Sequence, residues 1–284
     1  MDFKEHVTKT IEYIETPKEI QTKFTQYSKI YPFATECITQ YLKNSLPINS
    51  KNALTVLSSS DQVFNLLING VEDITTFDIN LLTYYFHELK KAYIIKNNYS
   101  TFINAINESY YSRKTFLETI LNPLEEIAIY MNQDVYLFWK TLKEKNIDFK
   151  ELQYPNHTFY QVKIDNEYIE NDDKYTKLQS ILKNGFPFTF YNCSIMELDK
   201  ILIENFDYMI FSNIYDYIRT FIPEKECQKI YYQYIKEKIV PYLTEKGNIM
   251  FSYRYNLMDE FIEEKLKKIP ISGKVASAYI LKKD

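Results

Sequence analysis

The chain has 284 residues, 45% of them hydrophobic, with 27 Tyr and 19 Phe, which supplies a sizeable core and excludes a disordered protein. A formal net charge of −4 argues against a nucleic-acid partner gripped through its phosphates, because that calls for a basic surface, but does not exclude a small nucleic-acid substrate. Only four glycines occur, and Cys37, Cys193 and Cys227 include no CxxC pair, so neither glycine-rich loops nor disulfides nor zinc are expected.

Met1-Asp2-Phe3-Lys4-Glu5 has no apolar leader pattern, and no apolar run of about 18 residues occurs, so a soluble cytoplasmic protein is expected. Residues 1–50 read as an N-terminal helical segment. Val7, Ile11 and Ile14 repeat at helical spacing, and Pro17 is placed to open a second helix. Tyr31-Pro32-Phe33 breaks the pattern, since the residue before proline is pushed out of the α region. A short helix is expected from Ala34 or Thr35 through Ile38, Tyr41 and Leu42.

The next stretch carries the strongest signal. The apolar run Ala53–Leu57 ends in the polar turn Ser58-Ser59-Ser60-Asp61; a helical stretch, Gly70 and a second apolar run to Ile79 follow. That order predicts strand, tight turn, helix and strand, one βαβ unit of a doubly wound sheet. Ser60 or Asp61 suits the helix N-cap, and Gly70 the residue beyond its C-cap. A helix after Asn80 carries Lys90, Lys91 and Lys96 toward its C-terminus, as the macrodipole prefers.

Residues 97–184 read as a helical insertion of three helices, a lid or substrate platform. Alternation resumes with a third strand at Phe188–Tyr191, a helix capped by Ser194, and a fourth strand over Phe206–Ser212. A long helix from Glu224 to Leu243, a turn at Gly247, a fifth strand at Asn248–Tyr253, a helix over Leu257–Ile269 and a final strand at Val275–Leu281 complete the pattern. The fold class is therefore α/β, a Rossmann-like doubly wound sheet assembled from residues 51–96 and 185–284.

In such sheets the ligand lies beyond the carboxyl ends of the strands, at the switch point. Asp78 ends the second strand, where a carboxylate accepts hydrogen bonds from both ribose hydroxyls of a nucleoside, or else caps the following helix. A dinucleotide needs glycines against its pyrophosphate, and this turn has none. It also carries Asp61 where a phosphate would sit, which counts against NAD, FAD and ATP. S-adenosyl-L-methionine (SAM) has an adenosine, no phosphate and an ammonium for Asp61 to meet, so SAM is the expected cofactor.

The segment resembles the class I SAM-dependent transferases, and more closely the BtaA-like group of SAM-dependent 3-amino-3-carboxypropyl transferases. The resemblance is carried by Leu57-Ser58-Ser59-Ser60-Asp61, by Phe77-Asp78-Ile79-Asn80 and by Leu89-Lys90, with Ser60 standing where a glycine is usual. Tyr31-Pro32-Phe33 looks like that group's covering N-terminal segment. The resemblance implies a class I SAM methyltransferase-type fold. It also implies a cofactor site of Tyr31, Ser58, Ser59, Ser60, Asp61, Asp78, Ile79 and Asn80, with Cys193 and Ser194 near the adenine and Ser212 at the fourth strand's end. Asn213 and Asp216 follow as groups that orient the acceptor, Asp216 as a general base or else as a helix cap. Tyr253 and Tyr255 either line the acceptor pocket or pack in the core, and His6, His87 and His157 have no metal-ligand spacing. Lys265, Lys267 and Lys268 read as a solvated helix end.

The expected activity is a SAM-dependent transferase, a methyltransferase acting on a small-molecule or lipid-like acceptor, with no nucleic acid. The alternatives are 3-amino-3-carboxypropyl transfer and non-catalytic SAM or nucleoside binding.

Overall fold

The apolar runs pair into one seven-stranded sheet in a computed structural model that describes residues 2–19, 21, 25–112, 114–155, 158–218, 224–253, 266–269 and 277–283 (backbone alone at 216, 224–225, 252–253 and 277). The strands are β1 (Asn52–Val56), β2 (Asp73–Asp78), β3 (Phe188–Asn192), β4 (Phe206–Ile210), β5 (Leu243–Tyr253), β6 (Lys267–Ile269) and β7 (Ser277–Lys282), in the order β3-β2-β1-β4-β5-β7-β6. The first five are parallel and β7 runs antiparallel to β5 and β6. This is the doubly wound order 3-2-1-4-5-6 with an antiparallel strand inserted before the edge. The chain reverses its winding between β1 and β4, and a crevice opens there.

Helices cover both faces. Before the sheet lie α1 (Phe3–Glu15) and α2 (Ile38–Ser45); α3 (Asp61–Ile68) and α4 (Leu82–Lys96) belong to the βαβ unit. Residues 97–184 form α5 (Tyr99–Tyr111), α6 (Phe116–Leu121), α7 (Leu124–Ile127), α8 (Gln133–Glu144), α9 (Phe159–Asp165) and α10 (Asp172–Asn184). All of these share one hydrophobic core with Ala53, Ile74 and Tyr208 of the sheet. The opposite face buries Leu54, Phe77 and Met209 under a 3₁₀ turn (Ile195–Lys200), α11 (Ile214–Ile218) and α12 (Glu224–Tyr234). Adjacent residues Ala53 and Leu54 thus face opposite cores, as a strand buried on both sides requires.

Several expectations change. The insertion has more helices than its apolar periodicity shows, and Pro123 divides the middle one between α6 and α7. No helix is built on Pro17 among the described residues, and the short helix starts at Ile38, not at Ala34 or Thr35. Gly247 lies inside β5, opposite a register shift between Phe206 and Tyr208. A Cβ at Gly247 would stand 3.0 Å from the Phe206 carbonyl oxygen, so this glycine admits a bulge rather than a turn. The expected helix over Leu257–Ile269 lies outside the described residues except at its end. There Lys267 and Lys268 stand exposed on β6, a strand and not a helix end, and Lys265 lies outside the description.

Lys90 does not serve the C-terminus of α4. It lies in mid-helix with its side chain fully buried. Its Nζ donates to Asp61 Oδ1 at 2.7 Å, to the Pro32 carbonyl at 2.9 Å and to the Ser59 carbonyl at 3.0 Å. The ammonium also lies 4.3 Å from the Phe33 ring centroid, a cation–π contact. Asp61 is equally buried, and accepts in addition from Tyr168 Oη (2.7 Å), the Ala34 amide (2.5 Å) and Ser59 Oγ (3.1 Å). One ion pair therefore joins the N-terminal segment, the βα turn, α4 and the insertion. Removing one partner of such a pair strands a buried charge at a cost of about 3–5 kcal/mol. Lys90→Met is expected to lower the melting temperature by about 10 °C. The double variant Asp61→Leu/Lys90→Met should lose less than the sum of the two single variants, as measured by chemical denaturation.

Candidate functional site

The turn after β1 folds tightly with no glycine. Ser58 and Ser60 adopt left-handed backbone conformations, with φ of 45° and 72°. The Ser60 amide closes the turn onto the Leu57 carbonyl at 2.8 Å, and α3 begins at once. Ser60 occupies the N-cap position without capping: its side chain makes no cap hydrogen bond, and its buried hydroxyl has no partner among the described residues. A glycine is favoured here because it enters this region without a Cβ penalty. At the far end of α3, Gly70 (φ 90°) and Val71 close onto Leu67 and Leu66 as a Schellman cap.

Asp78 ends β2 at the edge of a cavity of about 1050 Å³ measured out to its mouth. Its Oδ2 accepts from the Ser58 amide and its Oδ1 from the Asn80 amide, each at 2.9 Å. Burial pushes its pKa up to about 6, against the pull of these amides and the Thr83 hydroxyl. No cation pairs with it among the described residues. The carboxylate is thus desolvated and held in position.

Asn80 builds the roof. Its amide donates to the Ser28 carbonyl at 2.9 Å, and its oxygen accepts from Ser28 and Leu82 amides at 3.3 and 3.1 Å. The Gln26 carbonyl receives the Leu81 amide at 2.8 Å, and Ile30 bonds to Leu152 and Tyr154 at 2.9 Å. Together with the Lys90 and Asp61 contacts to Pro32 and Ala34, these bonds fix residues 26–34 across the carboxyl ends of the strands. Tyr31 lines the cavity there and stacks on Tyr154 with centroids 4.3 Å apart. No residue of the 97–184 insertion lines the cavity among the described residues; covering falls to the N-terminal segment.

Two further strand ends complete the walls. Beyond β3, the Cys193 amide donates to the Asp78 carbonyl at 3.2 Å, and burial raises its thiol to about 11, so it stays protonated. Ser194 forms a capping box with Glu197, and Ile79 and Ile195 add apolar surface. Beyond β4, Ser212 (φ 52°) donates to the Glu36 carboxylate, and Asn213 is buried beside it. Burial and the nearby Tyr31 hydroxyl raise the pKa of Tyr217, which also bonds to the Asn213 side chain.

Of the residues singled out from sequence, the cavity gathers Tyr31, Ser58, Asp78, Ile79, Asn80, Cys193, Ser194, Ser212 and Asn213. Ser59, Ser60 and Asp61 lie behind its wall, fully buried. Asp61 in particular does not face a ligand: its four contacts fill the acceptor capacity of a carboxylate, leaving no oxygen for an ammonium. The side chains of Asp216 and Tyr253, and all of Tyr255 and His157, lie outside the description. His87 is buried between Phe64 and Phe188, and burial holds its pKa well below the usual value. Sequence reasoning missed Glu36, Gln62, Thr83 and Tyr217, all of which line the cavity. Gln62 directly follows the turn, whereas nothing in the sequence around Glu36 marks it.

No known family model and no curated protein matches the chain. Among solved structures it is similar to rRNA methyltransferase aviRa from Streptomyces viridochromogenes, at 9% identity in each of two structures. The TM-scores are 0.42 and 0.43, over 87% and 96% of this chain and 82% and 92% of that one. It is also similar to the 16S rRNA methylase RmtB, at 9% identity and a TM-score of 0.36, over 87% of this chain and 61% of that one. The similarity to BtaA-like transferases rests on the sequence motifs alone. With rRNA methyltransferases among the structural neighbours, the expectation of no nucleic-acid partner is withdrawn. A whole-chain charge of −4 is the wrong measure, because contact with a nucleic acid depends on local charge patches and not on the net value. No helix among the described residues is long and apolar enough to cross a membrane.

Two measurements follow. Ser60→Gly removes a left-handed Cβ and a buried, unpartnered hydroxyl, against the entropy of a glycine. It is expected to stabilise by about 1 kcal/mol, raising the melting temperature by about 2–4 °C. Asp78 has a folded pKa above its unfolded value, so the folded state holds its proton longer, and stability from this group falls as pH rises from about 4 to about 6. Denaturation of the unliganded protein across that window should show the fall, and Asp78→Asn should flatten it.

Proposed function

We propose that the chain is a SAM-dependent transferase, and that it transfers the methyl group. The observation that carries this reading is Asp78. It is a desolvated carboxylate with no cation partner among the described residues, at the switch-point end of β2, where a carboxylate is placed to receive the hydroxyls of a ribose. A dinucleotide fits poorly. The Ser58 and Ser60 amides are already engaged by Asp78 and Leu57, and no glycine lets a pyrophosphate approach.

In this reading Asp78 receives the ribose, and Ile79, Cys193, Ser194 and Ile195 flank the adenine. Bound there, SAM supplies an electrophilic methyl carbon on a positively charged sulfur. The fixed 26–34 segment keeps bulk water away, and the carboxylates of Asp78 and Glu36 make the cavity favourable for a cation. Asn213, with Asp216 further along α11, orients the acceptor at the end of β4. Positioning for in-line attack supplies most of the acceleration such a reaction needs.

Incubation with SAM and an acceptor panel should yield S-adenosylhomocysteine; release of 5′-methylthioadenosine would indicate aminocarboxypropyl transfer instead. Asp78→Ala is expected to weaken SAM binding by at least about a hundredfold, or about 2.7 kcal/mol, while the protein stays folded. SAM binding should also strengthen about tenfold per pH unit up to about pH 6 and then level off, as Asp78 ionises. Unchanged affinity in Asp78→Ala, or tighter binding of NAD than of SAM, would overturn the reading.

A further inference from the structure

The two edges of the sheet are finished differently. At one, β6 has three residues and two exposed lysines, a short charged edge that resists pairing. At the other stands β3, five residues in parallel register with β2 and with no strand beyond it among the described residues. From Phe186 to Ser194 this edge carries no charged side chain. The Pro187 carbonyl accepts from the Ile74 amide, and the Cys193 amide donates to the Asp78 carbonyl. Thr189 and Tyr191 share that phase and also turn their backbone groups toward β2. The N–H and C=O groups of Phe188, Phe190 and Asn192 therefore point away from the sheet, and they bond to nothing among the described residues. The rings between them are held in place. Phe188 stacks on His87 and Phe190 on Tyr84, with centroids 4.6 and 5.2 Å apart. The edge is thus an ordered, neutral template for another strand.

We infer that β3 pairs antiparallel with β3 of a second copy of this chain, joining the two sheets into one about a two-fold axis at Phe190. In this register Phe190 exchanges both backbone hydrogen bonds with its counterpart, and Phe188 does so with the second copy's Asn192. Every outward backbone group of the strand is then satisfied. The charges that flank the strand favour a copy running in this direction. Exposed Lys183 precedes it, whereas exposed Glu197 and partly buried Asp199 follow it, against one basic residue, Lys200. Antiparallel pairing sets the basic end of each strand beside the acidic end of the other, while parallel pairing would set like ends together. Asn192 also donates from its side chain to the Asp78 and Ile79 carbonyls, each at 2.9 Å. Pairing therefore braces the strand end that forms one wall of the cavity.

Sedimentation equilibrium of the full chain, with hydrogen exchange read at single residues, tests the pairing. The wild type is expected to be a dimer at micromolar concentration, with the Phe190 and Asn192 amides protected and losing that protection on dilution. Thr189 is exposed, so Thr189→Lys leaves the fold intact while placing a charge twice beside the two-fold axis. Its dimer dissociation constant should rise at least about tenfold. Thr189→Val keeps the edge neutral and should leave the dimer in place. Lys183→Glu should weaken the dimer by less, and most at low salt. A wild type that stays monomeric with fast-exchanging edge amides would overturn the inference, as would protection that appears only when a different protein is added. A dimer indifferent to both Thr189→Lys and Lys183→Glu would put the interface elsewhere and overturn it equally. The dilution series needs no variant, so it decides the matter even where Thr189→Lys does not fold.

Discussion

The buried ion pair between Asp61 and Lys90 is the constraint on which the site depends. Neither charge reaches water, and each is tolerable because the other and a shell of hydrogen bonds surround it. Burial lowers the pKa of Lys90, and the Asp61 carboxylate opposes that shift. The partners come from four separated parts of the chain, so the pair is complete only when all four have docked. An ion pair in this position is a poor source of stability compared with apolar packing, but it specifies one arrangement of the turn and roof.

That arrangement has a chemical consequence. With Asp61 committed to Lys90 and Tyr168, the turn presents no free carboxylate, and its serine amides are drawn into internal bonds with Asp78 and Leu57. The polar groups that line the cavity include Asp78, Glu36, Gln62 and Asn213. Burial that raises Asp78 to about 6 is a cost the unliganded fold carries, and donors from a ligand would relieve it. Strained backbone at Ser58, Ser60 and Ser212 clusters around the same cavity, where a tight approach of strand ends matters more than relaxed geometry.

What the sequence determined is the frame. Period-two and continuous apolar runs placed β1 to β5 and β7, and the serine turn and Asp78 marked the switch point, because strand patterning and turn chemistry are local properties. The 17% aromatic content gave no such help, since so many aromatic residues are core in any arrangement. The short β6 escaped detection because three residues carry no period, and its lysines look like a helix end.

The tertiary structure decided what each polar residue does. Asp61 and Lys90 read locally as a ligand-facing acid and a helix-end base, yet they neutralise each other out of reach of solvent. Glu36 and Ser212 are far apart in sequence and meet only because the N-terminal segment crosses the end of β4. A side chain's role depends on whether its charge is paired, hydrated or left facing a cavity. That is settled by long-range packing, to which local sequence patterns are blind.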